Sequence, residues 1–120
     1  MKFSDLGLPK EKEHLDNMFF LWINIMIPIT SSHPEFIFKI NSGLRTIEYN
    51  QKIGGAPTSQ HLTGKAVDFT TNNIENNKII FEYIKKNLNY DQLIDEMNYK
   101  WIHVSYDVYK NRKQVLHINK

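Results

Sequence analysis

Ser59-Gln-His-Leu-Thr-Gly-Lys-Ala-Val-Asp68, read together with Trp101-Ile-His-Val-Ser105, decides how the rest of the chain is arranged. The first stretch carries an imidazole and a carboxylate on either side of Gly64, and a glycine permits a tight reversal there. A side chain on that loop can therefore fold back beside one on the strand that follows. Within residues 65–70, Ala66 and Asp68 share one face while Val67 and Phe69 share the other. The same period sets His103 with Trp101 and Ser105, against Ile102, Val104 and Tyr106. Two His and one Asp, with no cysteine in the chain, suit a zinc ion that keeps one position open for water. Structural zinc sites are usually closed by four ligands, most of them Cys. The competing reading makes each a satisfied polar residue at a sheet surface.

Working outward, residues 10–27 place Leu15, Met18, Phe19, Trp22, Ile25 and Met26 at helical spacing, with Pro28 expected to end the helix. Residues 30–35 read as a polar loop, 36–40 as a buried strand stopped by Asn41-Ser-Gly43, and 46–53 as a short helix. Gly54-Gly-Ala-Pro-Thr-Ser59 is the strongest loop signal, long enough to suggest a site. Asn72-Asn-Ile-Glu75 has the arrangement of a capping box and opens a helix to about residue 88, with Ile74, Phe81, Ile84 and Leu88 inward. Strands are expected over 91–96, 101–106 and 114–118, with turns at 98–100 and 109–112. Helices followed by an antiparallel meander predict an α+β fold, a single domain over residues 1–120 with helices packed on one mainly antiparallel sheet.

The 120 residues suffice for one core. A hydrophobic fraction of 41%, a charged fraction of 23% and a net charge of +2 are those of an ordinary globular protein. The positive excess is too small and scattered for nucleic acid, though it suits an anionic polymer such as a bacterial wall. The absence of cysteine excludes disulfides and thiolate chemistry. Met1-Lys-Phe-Ser-Asp-Leu-Gly-Leu-Pro9 has neither a continuous apolar core nor a small-residue cleavage site, so no signal peptide is expected. The apolar run 19–29 falls short of the roughly 20 residues that a membrane span needs, so no stable membrane insertion is expected.

Ser42-Gly-Leu-Arg45, Asn50, the run from Gly54 to Asp68, Tyr90-Asp-Gln-Leu-Ile94 and Trp101-Ile-His-Val-Ser105 together resemble the zinc D-Ala-D-Ala carboxypeptidase family. The chain looks most like its small single-domain branch, found in bacteriophage and bacterial peptidoglycan peptidases. The resemblance covers residues from about 15 to 107, and its core pattern, S-x-H-x-x-G-x-A-x-D with a distal W-x-H, is specific. It implies a hedgehog/D-Ala-D-Ala carboxypeptidase-like fold, and zinc bound by His61, Asp68 and His103. It also implies that Ser59 shapes the loop near the metal and that Arg45 polarises the scissile carbonyl or stabilises the oxyanion. A guanidinium beside zinc is a second fixed positive group where negative charge develops. The bland reading of Arg45 is a surface cation closing a strand-to-helix turn. Ser59, Gln60 and Trp101 are the candidate substrate-binding residues.

The general base is where the chain departs from its relatives. Many carry an acid three positions before the second zinc histidine; here that position is Lys100, which takes no proton at neutral pH unless its pKa is greatly lowered. In the small branch an acid follows the D-Q-L-I stretch, and Glu96 matches it. A hairpin can bring Glu96 to His103, and because Asp95 points to the opposite face, one strand register decides between them. The alternative for Glu96 is a solvated turn carboxylate. His14 and His33 read as exposed, and His117 as a hydrogen-bonded sheet histidine.

The function these residues imply is a zinc-dependent peptidase on peptidoglycan peptides, a D,D-carboxypeptidase or an endolysin-type endopeptidase, monomeric and acting at the cell wall. The alternative is a catalytically silent wall-binding or virion structural domain on the same scaffold, which Lys100 keeps open.

Overall fold

A computed structural model describes residues 1–119. Five strands form one sheet in the order β1-β2-β4-β3-β5, where β1 is Lys39–Ser42, β2 Ala66–Thr70, β3 Gln92–Glu96, β4 Trp101–Ser105 and β5 Gln114–Ile118. β1 pairs antiparallel with β2, β2 with β4, and β4 with β3. β5 breaks the expected meander. Residues 106–113 carry the chain back past β4, and β5 pairs parallel with β3 at the sheet edge, Asp95 opposite His117. The α+β class stands, with a mostly antiparallel sheet.

The two sheet faces divide the work. Val67 and Phe69 of β2, Leu93 of β3 and Ile102 and Val104 of β4 are fully buried beneath the helices. Each such side chain contributes roughly 1.5–3 kcal/mol of transfer free energy. The opposite face carries Asp68, Ile94 and His103 in one cross-strand row, with Glu96 paired to Trp101 beside it. The segment from Gly43 to Gly64 lies over that face. It contains α3 (Ile47–Lys52), capped by the Thr46 hydroxyl accepting from the Tyr49 N–H, and a 3-10 turn at Gln60–Thr63.

The first helix runs further than its proline suggested. α1 (Lys12–Leu21) passes through a π-turn (Trp22–Met26) into α2 (Ile27–Ser32), so Pro28 sits in the first turn of α2 and residues 30–32 are helical. The Ile27 N–H reaches back five residues to the Trp22 carbonyl, and this widened turn accommodates a ring that would break a regular helix. The buried stripe is Met18, Leu21, Ile25, Met26 and Ile29. Leu15 and Phe19, expected inward, are 41% and 51% exposed, and Phe19 meets Phe3 edge-on.

Two other boundaries moved. β1 begins at Lys39 rather than at residue 36, because Phe36 and Phe38 pack as loop aromatics on His33 and Phe69. α4 (Ile74–Asn87) is capped by Asn73, not Asn72, its side chain accepting from the Asn76 N–H. Ile74 consequently faces solvent, and Asn77 and Ile80 join Phe81 and Ile84 on the buried side. Asn77 is there for its hydrogen bonds. Its Oδ1 accepts from the Thr71 N–H and its Nδ2 donates to the Tyr99 carbonyl, tying the start of α4 to the β3–β4 turn. That turn holds Met97, Asn98 and Tyr99 in the left-handed region in succession.

Candidate active site

The reversal at Gly64 sets the geometry. Gly64 has φ +78°, and a Cβ there would lie 2.8 Å from both the His14 carbonyl oxygen and Met18 Cγ. Only glycine allows the 3-10 turn to press against α1 while returning the chain into β2. His61 is thereby buried directly above Asp68, and β4 brings His103 opposite Asp68 from the other side. The ligating atoms of His61, Asp68 and His103 all lie within 4.8 Å of one another. Among the described residues this is the one such cluster.

The hydrogen bonds around His61 bear on a metal. Its Nδ1 lies 2.8 Å from the Gly43 carbonyl oxygen, an acceptor only, so Nδ1 carries the proton. In a neutral ring Nε2 is then bare, and it is buried with no hydrogen-bond partner. It faces Asp68 Oδ2 at 3.3 Å. Two lone pairs so placed call for a shared cation, and an imidazole whose far nitrogen is anchored on a backbone carbonyl is oriented as a metal ligand is. His103 Nδ1 lies 2.8 Å from Asp68 Oδ1, so both carboxylate oxygens face an imidazole. Burial alone would raise the Asp68 pKa. With no metal and both imidazoles protonated, hydrogen bonds and charge from His103 and His61 outweigh it and hold the carboxyl well below the usual range. A cysteine-free set of two nitrogens and a carboxylate, buried and partly unsatisfied, fits zinc with one position left open.

Arg45 lies at this cluster rather than on the surface. Its Nη2 approaches Asp68 Oδ2 at 3.4 Å, Nε donates to Ser42 Oγ, and Nη1 donates to Asn50 Oδ1. Its own N–H donates to the His61 carbonyl, locking the two loops together. Asn50, buried, also donates to the Ala56 carbonyl, and a Cβ on Gly55 would collide with the Asn50 amide. The Gly-Gly pair thus lets the loop close over the arginine that Asn50 stakes.

An open cleft of about 560 Å³ runs over the cluster. Arg45, His61, Asp68 and His103 form its floor, Thr58, Ser59 and Gln60 one wall, and Gln92, Ile94 and Glu96 another. The register puts Glu96 on the cleft face and Asp95 on the helix face. Glu96 Oε2 accepts the Trp101 indole N–H at 3.0 Å, so Trp101 contacts the site through Glu96 rather than as part of the wall. Ser59 Oγ accepts the His61 N–H and caps the 3-10 turn. Lys100 is exposed in the β3–β4 turn and is no part of the cleft wall.

The remaining histidines lie elsewhere. His117 stands on the helix face, bonded to Asp95 and packed on Phe81. His14 pairs with Glu11, and His33 packs between Phe36 and Tyr83; both are half-buried rather than exposed.

The sequence reading missed one wall of the cleft. Asp91, 4% exposed, accepts from Gln60 Nε2 and forms a paired contact with Arg112, which also lines the cleft. The Arg112 contact pulls the Asp91 pKa down to about 2 despite burial. A carboxylate flanked by strand residues gives no local sign of partners 31 positions earlier and 21 later.

No curated protein matches the chain. The Peptidase M15 family model matches residues 31–105, a segment that holds His61, Asp68, His103, Arg45 and Glu96. With most of its length so matched, the chain belongs to the Peptidase M15 family, whose members are zinc-dependent peptidases.

Proposed function

We propose that the protein is a zinc-dependent peptidase that cleaves the peptides of bacterial peptidoglycan, as a D,D-carboxypeptidase or an endolysin-type endopeptidase. His61 through its bare Nε2, His103 through an imidazole nitrogen and the Asp68 carboxylate would hold the metal. The observation that carries the reading is the bare, buried Nε2 of His61 turned towards a carboxylate. Zinc, when bound, supplies a Lewis acid and lowers the pKa of a water ligand to about 7.

The chain's own groups supply the rest. Glu96, on the wall beside His103, accepts a proton from the attacking water and returns it to the leaving amine. The Trp101 indole N–H fixes the orientation of that carboxylate. Arg45, held by Ser42 and Asn50, presents fixed positive charge where the carbonyl oxygen becomes negative. Ser59 and Gln60 line the wall along which a peptide would lie. The substrate would be met at the cell wall by a monomer.

The test is direct. Purified protein is expected to hold one zinc per chain and to release new amine termini from peptidoglycan. Activity that survives both His61→Ala and His103→Ala would overturn the metal mechanism. Wall binding with no new termini, unchanged by Glu96→Gln, would make the protein a binding domain instead.

A further inference from the structure

Two guanidinium groups line the cleft, and they are used differently. Arg45 has all three nitrogens engaged by Ser42, Asn50 and Asp68, and its side chain is 14% exposed. Arg112 has a side chain 50% exposed, and its contact with Asp91 uses one edge only: Nε donates to Oδ1 at 2.8 Å and Nη2 to Oδ2 at 2.9 Å. A guanidinium has five N–H donors arranged as two forks that each match a carboxylate. With the Nε–Nη2 fork on Asp91, the Nη1–Nη2 fork stays unpartnered among the described residues.

Asp91 fixes this group from several directions. Its Oδ1 also accepts the Arg112 backbone N–H, and its carbonyl accepts the Gln114 N–H at the start of β5. Its Oδ2 accepts Gln60 Nε2, leaving Gln60 Oε1 buried without a partner, one residue from His61. The guanidinium is therefore immobilised before any ligand arrives, which removes most of the ordering cost of binding. Asp91 also neutralises one unit of its charge while leaving the outer fork available.

We propose, on the peptidase reading above, that Arg112 is a specificity residue: its outer fork takes a substrate carboxylate, while Asp91 and Gln60 hold it in position. The carboxylate belongs to the part of the peptide beyond the scissile bond. Two sources share this chemistry, the C-terminal carboxylate of a terminal dipeptide and the α-carboxylate of a γ-linked glutamyl residue. Arg112 lies beyond the segment 31–105 that defines the family match, so this feature is carried by the chain's own last strand connection.

The experiment uses zinc-loaded protein carrying Glu96→Gln, with binding followed by calorimetry. The probes are N-acetyl-D-Ala-D-Ala with its C-terminal amide, and N-acetyl-L-Ala-D-Glu γ-amide, whose α-carboxylate is its one free acid, with the corresponding α,γ-diamide. In one pair the acid is expected to bind at least about tenfold tighter than the amide, and that pair identifies the source. Adding Arg112→Gln should bring the acid-to-amide ratio close to one and leave amide binding unchanged. Arg112→Lys, which keeps a charge opposite Asp91 but has no second fork, guards against misfolding and should lose the preference too.

No acid preference in either pair, or one that survives both substitutions, overturns the proposal. So does an equal weakening of acid and amide, the mark of a purely structural clamp. Hydrolysis by the parent is scored separately: failure to cleave removes the peptidase reading and leaves the acid-to-amide ratio readable.

Discussion

Two histidine–aspartate pairs stand on opposite faces of the same sheet. His103 Nδ1 lies 2.8 Å from Asp68, and His117 Nδ1 lies 3.0 Å from Asp95. The pairwise chemistry is the same, and the surroundings differ. Asp68 has a second imidazole and a guanidinium on its other oxygen, and the His103 side chain is 12% exposed. Asp95 spends its other oxygen on the Tyr99 N–H, and His117 is 51% exposed. One pair stands beside an unsatisfied His61 lone pair that can join it on a metal; the other closes a turn. A His–Asp contact alone is therefore no mark of a site, and an additional donor with nowhere else to bond is.

The sharpest way to break this contrast is to remove a residue of the Asp68 cluster and a member of the Asp95 pair. His61→Ala and Asp68→Asn should lose bound zinc and essentially all hydrolysis, whereas His117→Ala should keep both; zinc content and release of amine termini decide. Next in size, Glu96→Gln should keep zinc and lower kcat by about 10²–10⁴-fold, the range for a general acid–base group. A smaller effect is expected at the backbone carbonyl that orients His61. A Cβ on Gly43 would collide with the Leu6 carbonyl, so Gly43→Ala should displace that acceptor and weaken zinc binding by about 10–100-fold.

On the other face, Asp95→Ala strands the Tyr99 N–H and should cost about 1–3 kcal/mol in urea unfolding with zinc affinity unchanged. The smallest effect is a pH dependence at Asp91. Its pKa falls from 3.8 to about 2 on folding, so the stabilisation is complete above the unfolded value and is lost as pH falls towards the folded one. Between pH 5 and pH 2, approximately, the parent should lose more stability than Asp91→Asn.

Much of the site was legible because its information is local. The period-two pattern in 65–70 and 101–106 placed Asp68 and His103 on one face, and Gly64 announced the reversal that brings His61 over them. Alternation likewise separated Glu96 from Asp95 once the register was fixed. What escaped depends on contacts between distant segments. Nothing in 114–118 says that it pairs with β3 in parallel, and nothing beside Asp91 names Gln60 or Arg112. Pro28 misled because the π-turn that admits it is a backbone adjustment, with no residue pattern of its own. Ile74 misled because it is the first helical residue after the Asn73 cap, at the exposed end of the helix, while Phe81 and Ile84 further on lie inward as expected.

The parallel seat of β5 has a consequence for biosynthesis. Until residues 114–118 have left the ribosome, β3 presents a raw edge whose Leu93 and Ile94 backbones are open to any neighbouring chain. The three zinc-binding candidates all precede that moment, so the nascent protein can gather them while this flank is still adhesive. Docking of the last strand pairs that flank, moves the sheet edge out to β5 and brings the Arg112 connection to the cleft.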